Sequence, residues 1–188
     1  PNTIDEFVVE TRLIEPLQIG ILIGGDNKNF VLTESDMADV LDGVVHFSEK
    51  INGSILATTS RRTPKNIEKL VKDRIAKLNN CKLLVIANEK NIPDAVNKIL
   101  SSSSVVLVSG ESISMVSEAA SSGKKVVVFE PQARRQDSKH MKFLKNLEQK
   151  GFIILCRPQD IGRALEDRRP LRILDDSGLV YEAVKKIV

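Results

Sequence analysis

The stretch Val105-Val106-Leu107-Val108-Ser109-Gly110-Glu111-Ser112-Ile113-Ser114-Met115-Val116-Ser117-Glu118-Ala119 decides the fold. Its first four residues are apolar without alternation, so a strand formed there is buried on both faces. The Ser-Gly pair ends the strand, and Ser112 opens a helix over 112–121. A doubly buried strand followed at once by a helix belongs to a parallel sheet whose crossovers supply the covering layers.

The same unit recurs on either side. Towards the amino terminus, strand-length apolar runs fall at 17–23, 53–59 and 82–87. Between them lie helical spacings at 35–41 (Met37, Val40, Leu41), 66–78 (Ile67, Leu70, Val71, Ile75, Leu78, behind Pro64) and 93–100. Towards the carboxyl terminus come a strand at 125–130 stopped by Pro131, a helix at 139–149 ended by Gly151, a strand at 152–155 and helices at 158–165 and 177–188. The expected fold is α/β, a Rossmann-like three-layer sandwich with about six mostly parallel strands. Residues 1–16 read as a linker or domain boundary, 17–176 as the domain, and 177–188 as a terminal helix. The start at Pro1, without Met, suggests a piece of a longer chain.

Length and composition exclude several classes. At 188 residues the chain is one domain or half of something larger, and a domain of that size needs no disulfide or metal staple. No run approaches the ~20 apolar residues of a membrane span, and residues 1–10 lack the basic-then-apolar pattern of a signal peptide. Peripheral membrane contact stays open. Cys81 and Cys156 stand far apart with no paired histidines, which suits a cytoplasmic setting and gives no metal-ligand spacing. The net charge of +3 is mild and aromatics are only 4%, so no nucleic-acid partner is expected.

In such sheets ligands bind beyond the carboxyl ends of the strands, and four loops fall there. Gly24-Gly25 can bring backbone close to a phosphate or to a neighbouring loop, although neither a GxGxxG nor a P-loop pattern is present. Ser60-Arg61-Arg62-Thr63-Pro64 joins hydroxyls and guanidinium forks to a helix start, a setting for anions. Ser109-Gly110-Glu111-Ser112 with Ser114 gathers hydroxyls and free amides at a helix start, and Glu118 could accept two hydrogen bonds from a ribose diol. The fourth loop, from Glu130, reaches His140 at another helix start. Each has a plainer alternative: a tight turn, a cap beside surface arginines, a solvated helix residue, a structural histidine. No catalytic triad, carboxylate pair or metal cluster is visible.

Ser60-Arg61-Arg62-Thr63-Pro64 together with Ser112-Ile113-Ser114-Met115-Val116-Ser117-Glu118-Ala119 resembles the mitochondrial fission/elongated-mitochondria family of glycosyltransferase-like proteins. Gly24-Gly25 and Lys139-His140 with Phe143 and Leu144 fall in matching places. More widely, Ser109-Gly110 through Glu118-Ala119 is similar to the donor site of two-domain GT-B transferases, such as the enzyme that adds N-acetylglucosamine to the lipid-linked peptidoglycan precursor.

The resemblance implies a GT-B carboxyl-terminal domain that binds a nucleoside-diphosphate sugar as substrate, without cofactor or metal. On that likeness the diphosphate meets Gly24, Gly25, Ser112 and Ser114, with Ser60 and Arg61 nearby. Glu118 takes the ribose, and the base lies near Ala87 and Asn88. Arg62, Thr63, Ser109, Gly110, Met115 and His140 complete the implied binding set. The likeness also implies a separate amino-terminal half that holds the acceptor. Two departures stand out: Asn88-Glu89-Lys90 replaces the family's Asn-Pro-Tyr, and Gly123-Lys124-Lys125 lacks the proline that follows Gly-Lys. Two other implied roles remain: half of a sugar-nucleotide epimerase or hydrolase, or a non-catalytic scaffold that recruits a protein partner.

Overall fold

The computed structural model describes residues 17–90, 92–134 and 139–174; the linker expected at 1–16 and the helix expected at 177–188 lie outside them. Six strands form one sheet: β1 (Gln18–Leu22), β3 (Ser54–Thr58), β4 (Cys81–Val85), β5 (Val105–Ser109), β6 (Lys125–Phe129) and β8 (Ile154–Cys156). Their order is β4-β3-β1-β5-β6-β8, and every neighbouring pair is parallel. A two-residue antiparallel ribbon of β2 (Phe30–Val31) and β7 (Gln132–Ala133) stands apart from it. That ribbon carries no apolar periodicity that a sequence could announce.

Strand alternation divides the core into two layers. Ile19, Ile21, Ile55, Ala57, Leu107, Val127 and Phe129 pack against α1 (Glu34–Lys50), α2 (Lys65–Ile75) and α6 (Ile161–Glu166). On the other face Leu22, Leu56, Val106, Val108, Val126 and Val128 meet α3 (Ala95–Ser102), α4 (Ile113–Ser121) and α5 (Lys139–Gln149). Both faces of β5 are therefore buried, as its unalternating sequence requires. Gly20 keeps the second layer close: a Cβ there would lie 2.5 Å from Ser103 Oγ and 2.7 Å from Ile99 Cγ2.

Most elements fall within two residues of the sequence reading. The largest difference is α1, expected over 35–41 and observed over 17 residues. Val44 and Phe47 extend its buried face, and Gly43 lets it approach Ile161, to which a Cβ would come within 3.1 Å. Tertiary burial thus carries the helix through a glycine that local propensity counts against. The helix expected over 158–165 instead begins as a 3-10 turn over Pro158–Asp160.

Candidate functional site

Strand order reverses at β1. From there the chain runs outward through β3 and β4, then returns to place β5, β6 and β8 on the other side. The crevice outside the carboxyl ends of β1 and β5 is thus the topological switch point, the usual ligand position in open α/β sheets. It brings together three of the four loops expected from the sequence.

The turns after β1 and β5 are joined by polar contacts. The Gly24 amide donates to Ser109 Oγ at 2.7 Å, and that hydroxyl donates to Glu111 Oε1 at 3.0 Å. On the other side, Thr63 Oγ1 donates to the Gly24 carbonyl and accepts from the Ser60 amide at 2.9 Å. Gly25 lies directly on the Arg62–Thr63 peptide, where a Cβ would come within 2.1 Å of Arg62 main-chain atoms. The glycine pair is therefore there for loop-to-loop approach, and Gly24, Gly25, Thr63 and Ser109 are all buried. Their polar groups face one another.

Gly110 and His140 also belong to the framework. The Gly110 amide donates to the Phe129 carbonyl at 3.0 Å, and its carbonyl lies 2.5 Å from His140 Nε2, which must carry the proton. The ring meets Phe30 edge-on at 4.7 Å, and burial lowers the His140 pKa, only partly offset by the bond to Gly110. Past β4, the Ala87 amide donates to Thr59 Oγ1 at 3.0 Å, while exposed Asn88 donates from Nδ2 to Glu68 Oε1 at 2.7 Å. The expected base-side residues thus tie the β4 turn to β3 and α2.

Arg61, Arg62, Ser114 and Glu118 are the exposed remainder of the expected set. Ser114 and Glu118 are four residues apart on α4 and share its solvent face. Ser112 is the N-cap of α4, yet its side chain bonds no α4 amide and lies 3.4 Å from Ser114 Oγ. No acidic residue occupies the first turn. The amides there and the positive end of the helix dipole are open to an anion. Met115, half-buried, packs its side chain against the second core layer, and Ser60 is half-buried in its turn.

α1 begins at the same edge of the sheet but is closed. Thr33 Oγ1 accepts from the Asp36 amide at 3.1 Å, and Glu34 and Asp36 occupy its first turn. A cleft of about 510 Å³ beside it is lined by Thr33, Asp36, Glu130, Pro131, Gln132 and Arg157, with none of the expected binding residues.

The sequence reading assigned no role to Glu111. The residue is 3% exposed, its carboxyl is held at the switch point by Ser109, and Oε2 has no hydrogen-bond partner among the described residues. Burial pushes its pKa up, against hydrogen bonding from the main chain of Glu111 itself and Gly25 and against the charge of Arg62. The local sequence gave no signal of it: a glutamate in the loop after a strand is costly only once it is buried, and the burial comes from the fold. Among the described residues no three His, Cys, Asp or Glu gather as a metal site, and no helix is long and apolar enough to cross a membrane. Burial and the nearby carboxylates of Asp160, Glu130 and Glu148 push the Cys156 thiol up to about 12, so it is a poor nucleophile at neutral pH.

Comparison with solved structures supports the fold. The UDP-GlcNAc 2-epimerase from Methanocaldococcus jannaschii, in complex with UDP-GlcNAc and UDP, superposes with a TM-score of 0.59 at 13% identity over 92% of this chain and 45% of that one. The UDP-GlcNAc 2-epimerase from Neisseria meningitidis bound to UDP-GlcNAc gives 0.56 at 18% identity over 80% of this chain and 36% of that one. The chain thus spans less than half of either structure, and at these identities the likeness is one of GT-B-like fold. No curated protein matches the sequence at a significant level. The model of the family described as Mitochondrial fission ELM1 matches residues 6–184. The chain belongs to the Mitochondrial fission ELM1 family.

Proposed function

We propose that this chain is the nucleotide-sugar-binding half of a GT-B glycosyltransferase, transferring a sugar from a nucleoside diphosphate to an acceptor held by an amino-terminal half. The observation that carries the reading is the contrast at the sheet edge: α4 begins uncapped and free of acids at the switch point, while α1 is capped and acidic. A diphosphate on the α4 amides would have Arg61 and Arg62 as nearby counter-charges, and Glu118 would take the ribose hydroxyls. In a transfer without metal, such donors stabilise the charge that builds on the leaving diphosphate. The glycine turn serves this site indirectly, by holding the β1, β3 and β5 loops together.

The two solved neighbours favour a second reading, epimerisation or hydrolysis of the sugar nucleotide, because both are 2-epimerases. Product analysis separates them, since only transfer consumes an acceptor. The first test is calorimetric titration of the chain with UDP, GDP, ADP and CDP, beside Glu118→Ala and Arg61→Ala. One nucleotide is expected to bind, with each variant weakening it about tenfold, or ~1.4 kcal/mol. Equal affinity in all three proteins, or no binding to any nucleotide, removes the reading and leaves the scaffold role.

A further inference from the structure

In a glycine turn that cradles phosphate, the main-chain amides point at the ligand. Here the Gly24 amide points at the protein: it is taken by Ser109 Oγ, and that hydroxyl in turn donates to the Glu111 carboxyl. A Cβ on Gly24 would lie 1.7 Å from Glu111 Oε1, so the carboxyl fills the space that glycine opens. One carboxyl oxygen is satisfied by Ser109; the other is buried with no partner among the described residues. Burying a half-satisfied carboxylate is costly, and proteins rarely keep one without a use.

We propose that Glu111 is a positioning residue of the phosphate site: its carboxyl takes the anion's place in the Gly24–Gly25 turn, directs a ligand's phosphates to the first turn of α4, and is protonated while they are bound. This rests on the reading of α4 as a diphosphate site. Glu111 immediately precedes Ser112, the N-cap of that helix, so phosphates there and an ionised Glu111 would be neighbouring anions, one of them already cut off from water. Two such charges cannot both be kept, and the carboxyl is the group that can take a proton. Its burial already favours the neutral acid. An O–H on Oε2 would be a hydrogen-bond donor where a carboxylate has none.

Arg62 faces Glu111 from the loop before α2 and favours its ionised form. Asp26, in the β1 loop, accepts from the Leu32 amide and from Arg134. His140, from α5, is bound to the neighbouring Gly110 carbonyl. The first turn of α4 contributes no charge of its own.

The test uses the full chain and UDP-N-acetylglucosamine, a diphosphate diester whose phosphate charge is constant across the range, so that the phosphates do not titrate. Affinity is measured from pH 5.5 to 8.5 for wild type and Glu111→Gln, in buffers of different ionisation enthalpy. Wild type is expected to take up a proton on binding and to weaken as pH rises, by at most about tenfold per pH unit, the limit for one linked proton. Glu111→Gln should lack that uptake and bind more tightly than wild type at pH 8.5. Proton uptake is read on wild type alone, so the proposal stays open to refutation even if the variant folds poorly. Binding without proton uptake, or the same pH profile in both proteins, overturns it and leaves the α4 reading intact. Absence of binding by wild type at every pH overturns the α4 reading and this proposal with it.

Discussion

α1 and α4 start at one edge of the sheet, on opposite sides of the switch point, and they end their backbones in opposite ways. α1 follows the turn after β1 and closes its own terminus with Thr33, Glu34 and Asp36. α4 follows β5, its Ser112 caps nothing, and the nearest carboxyl is withdrawn into the crevice as Glu111. The first arrangement spends its dipole on stability, where acids in the first turn contribute roughly 0.3–1 kcal/mol each. The second leaves its dipole available to a ligand. An open helix terminus is informative here because a closed one stands beside it in the same sheet.

The strongest way to break this arrangement is through the glycine turn that holds both sides. A Cβ on Gly25 would meet the Arg62–Thr63 main chain at 2.1–2.5 Å, where no side-chain rotation can relieve it. Gly25→Ala should therefore destabilise the fold by about 3 kcal/mol, at the upper end of ordinary overpacking. Urea unfolding measures it. An unchanged midpoint would show that the turn after β1 does not rely on close approach. Gly162, whose added Cβ meets nothing within 4 Å, is the control: alanine there should stabilise α6 by up to ~1 kcal/mol.

The next test turns α4 into a copy of α1. Ser114→Asp puts a carboxylate on the exposed first turn, where the dipole welcomes it, so stability should rise by about 0.3–1 kcal/mol. The same charge occupies the proposed phosphate position, so nucleotide affinity should fall at least about tenfold. Opposite signs from one substitution would sharpen the contrast. A variant more stable and equally able to bind nucleotide would show that phosphates do not use α4.

The sheet was legible because unalternating runs such as Val105–Val108 and Val126–Phe129 admit few architectures, and the strand positions followed. The loops at the carboxyl edge were legible by position. What did not show was the direction in which each polar group faces. Gly24, Thr63, Ser109 and His140 have the residue types of a binding loop, yet their bonds run to other main chain and side chains. Local sequence gives donors and acceptors but not their partners, which come from β5, from the loop after β3 and from α5. The cost of burying Glu111 is likewise visible only once the crevice closes around it. α1 was underestimated for a similar reason, since Val44 and Phe47 gain their worth from the sheet and not from the helix itself.

A smaller effect tests the closed side. Thr33→Ala removes the side-chain acceptor for the Asp36 amide and should cost about 1 kcal/mol of unfolding free energy. Because α1 is assigned no ligand, nucleotide affinity should be unchanged. If affinity falls along with stability, the two helix starts are coupled and the division of labour between them fails.

The smallest expected effect lies in the pH dependence of stability, and it separates His140 from Glu111. His140 is held neutral by burial while its Nε2–H serves the Gly110 carbonyl, so its native pKa lies below its unfolded value of about 6.5. Below that pH the unfolded chain binds more protons at this residue, and stability is lost as pH falls from about 6.5 towards the native pKa. Glu111 works the other way. Its raised native pKa favours the fold most at acid pH, and that contribution declines as pH rises through the native value. His140→Gln retains a donor for Gly110 and removes only the titration, so its stability should fall less than that of wild type between about pH 6.5 and 5. Glu111→Gln should instead fall more steeply than wild type over the same interval. Urea unfolding at several pH values reads both slopes, and parallel curves for all three proteins would mean that neither group titrates differently in the crevice than in the unfolded chain.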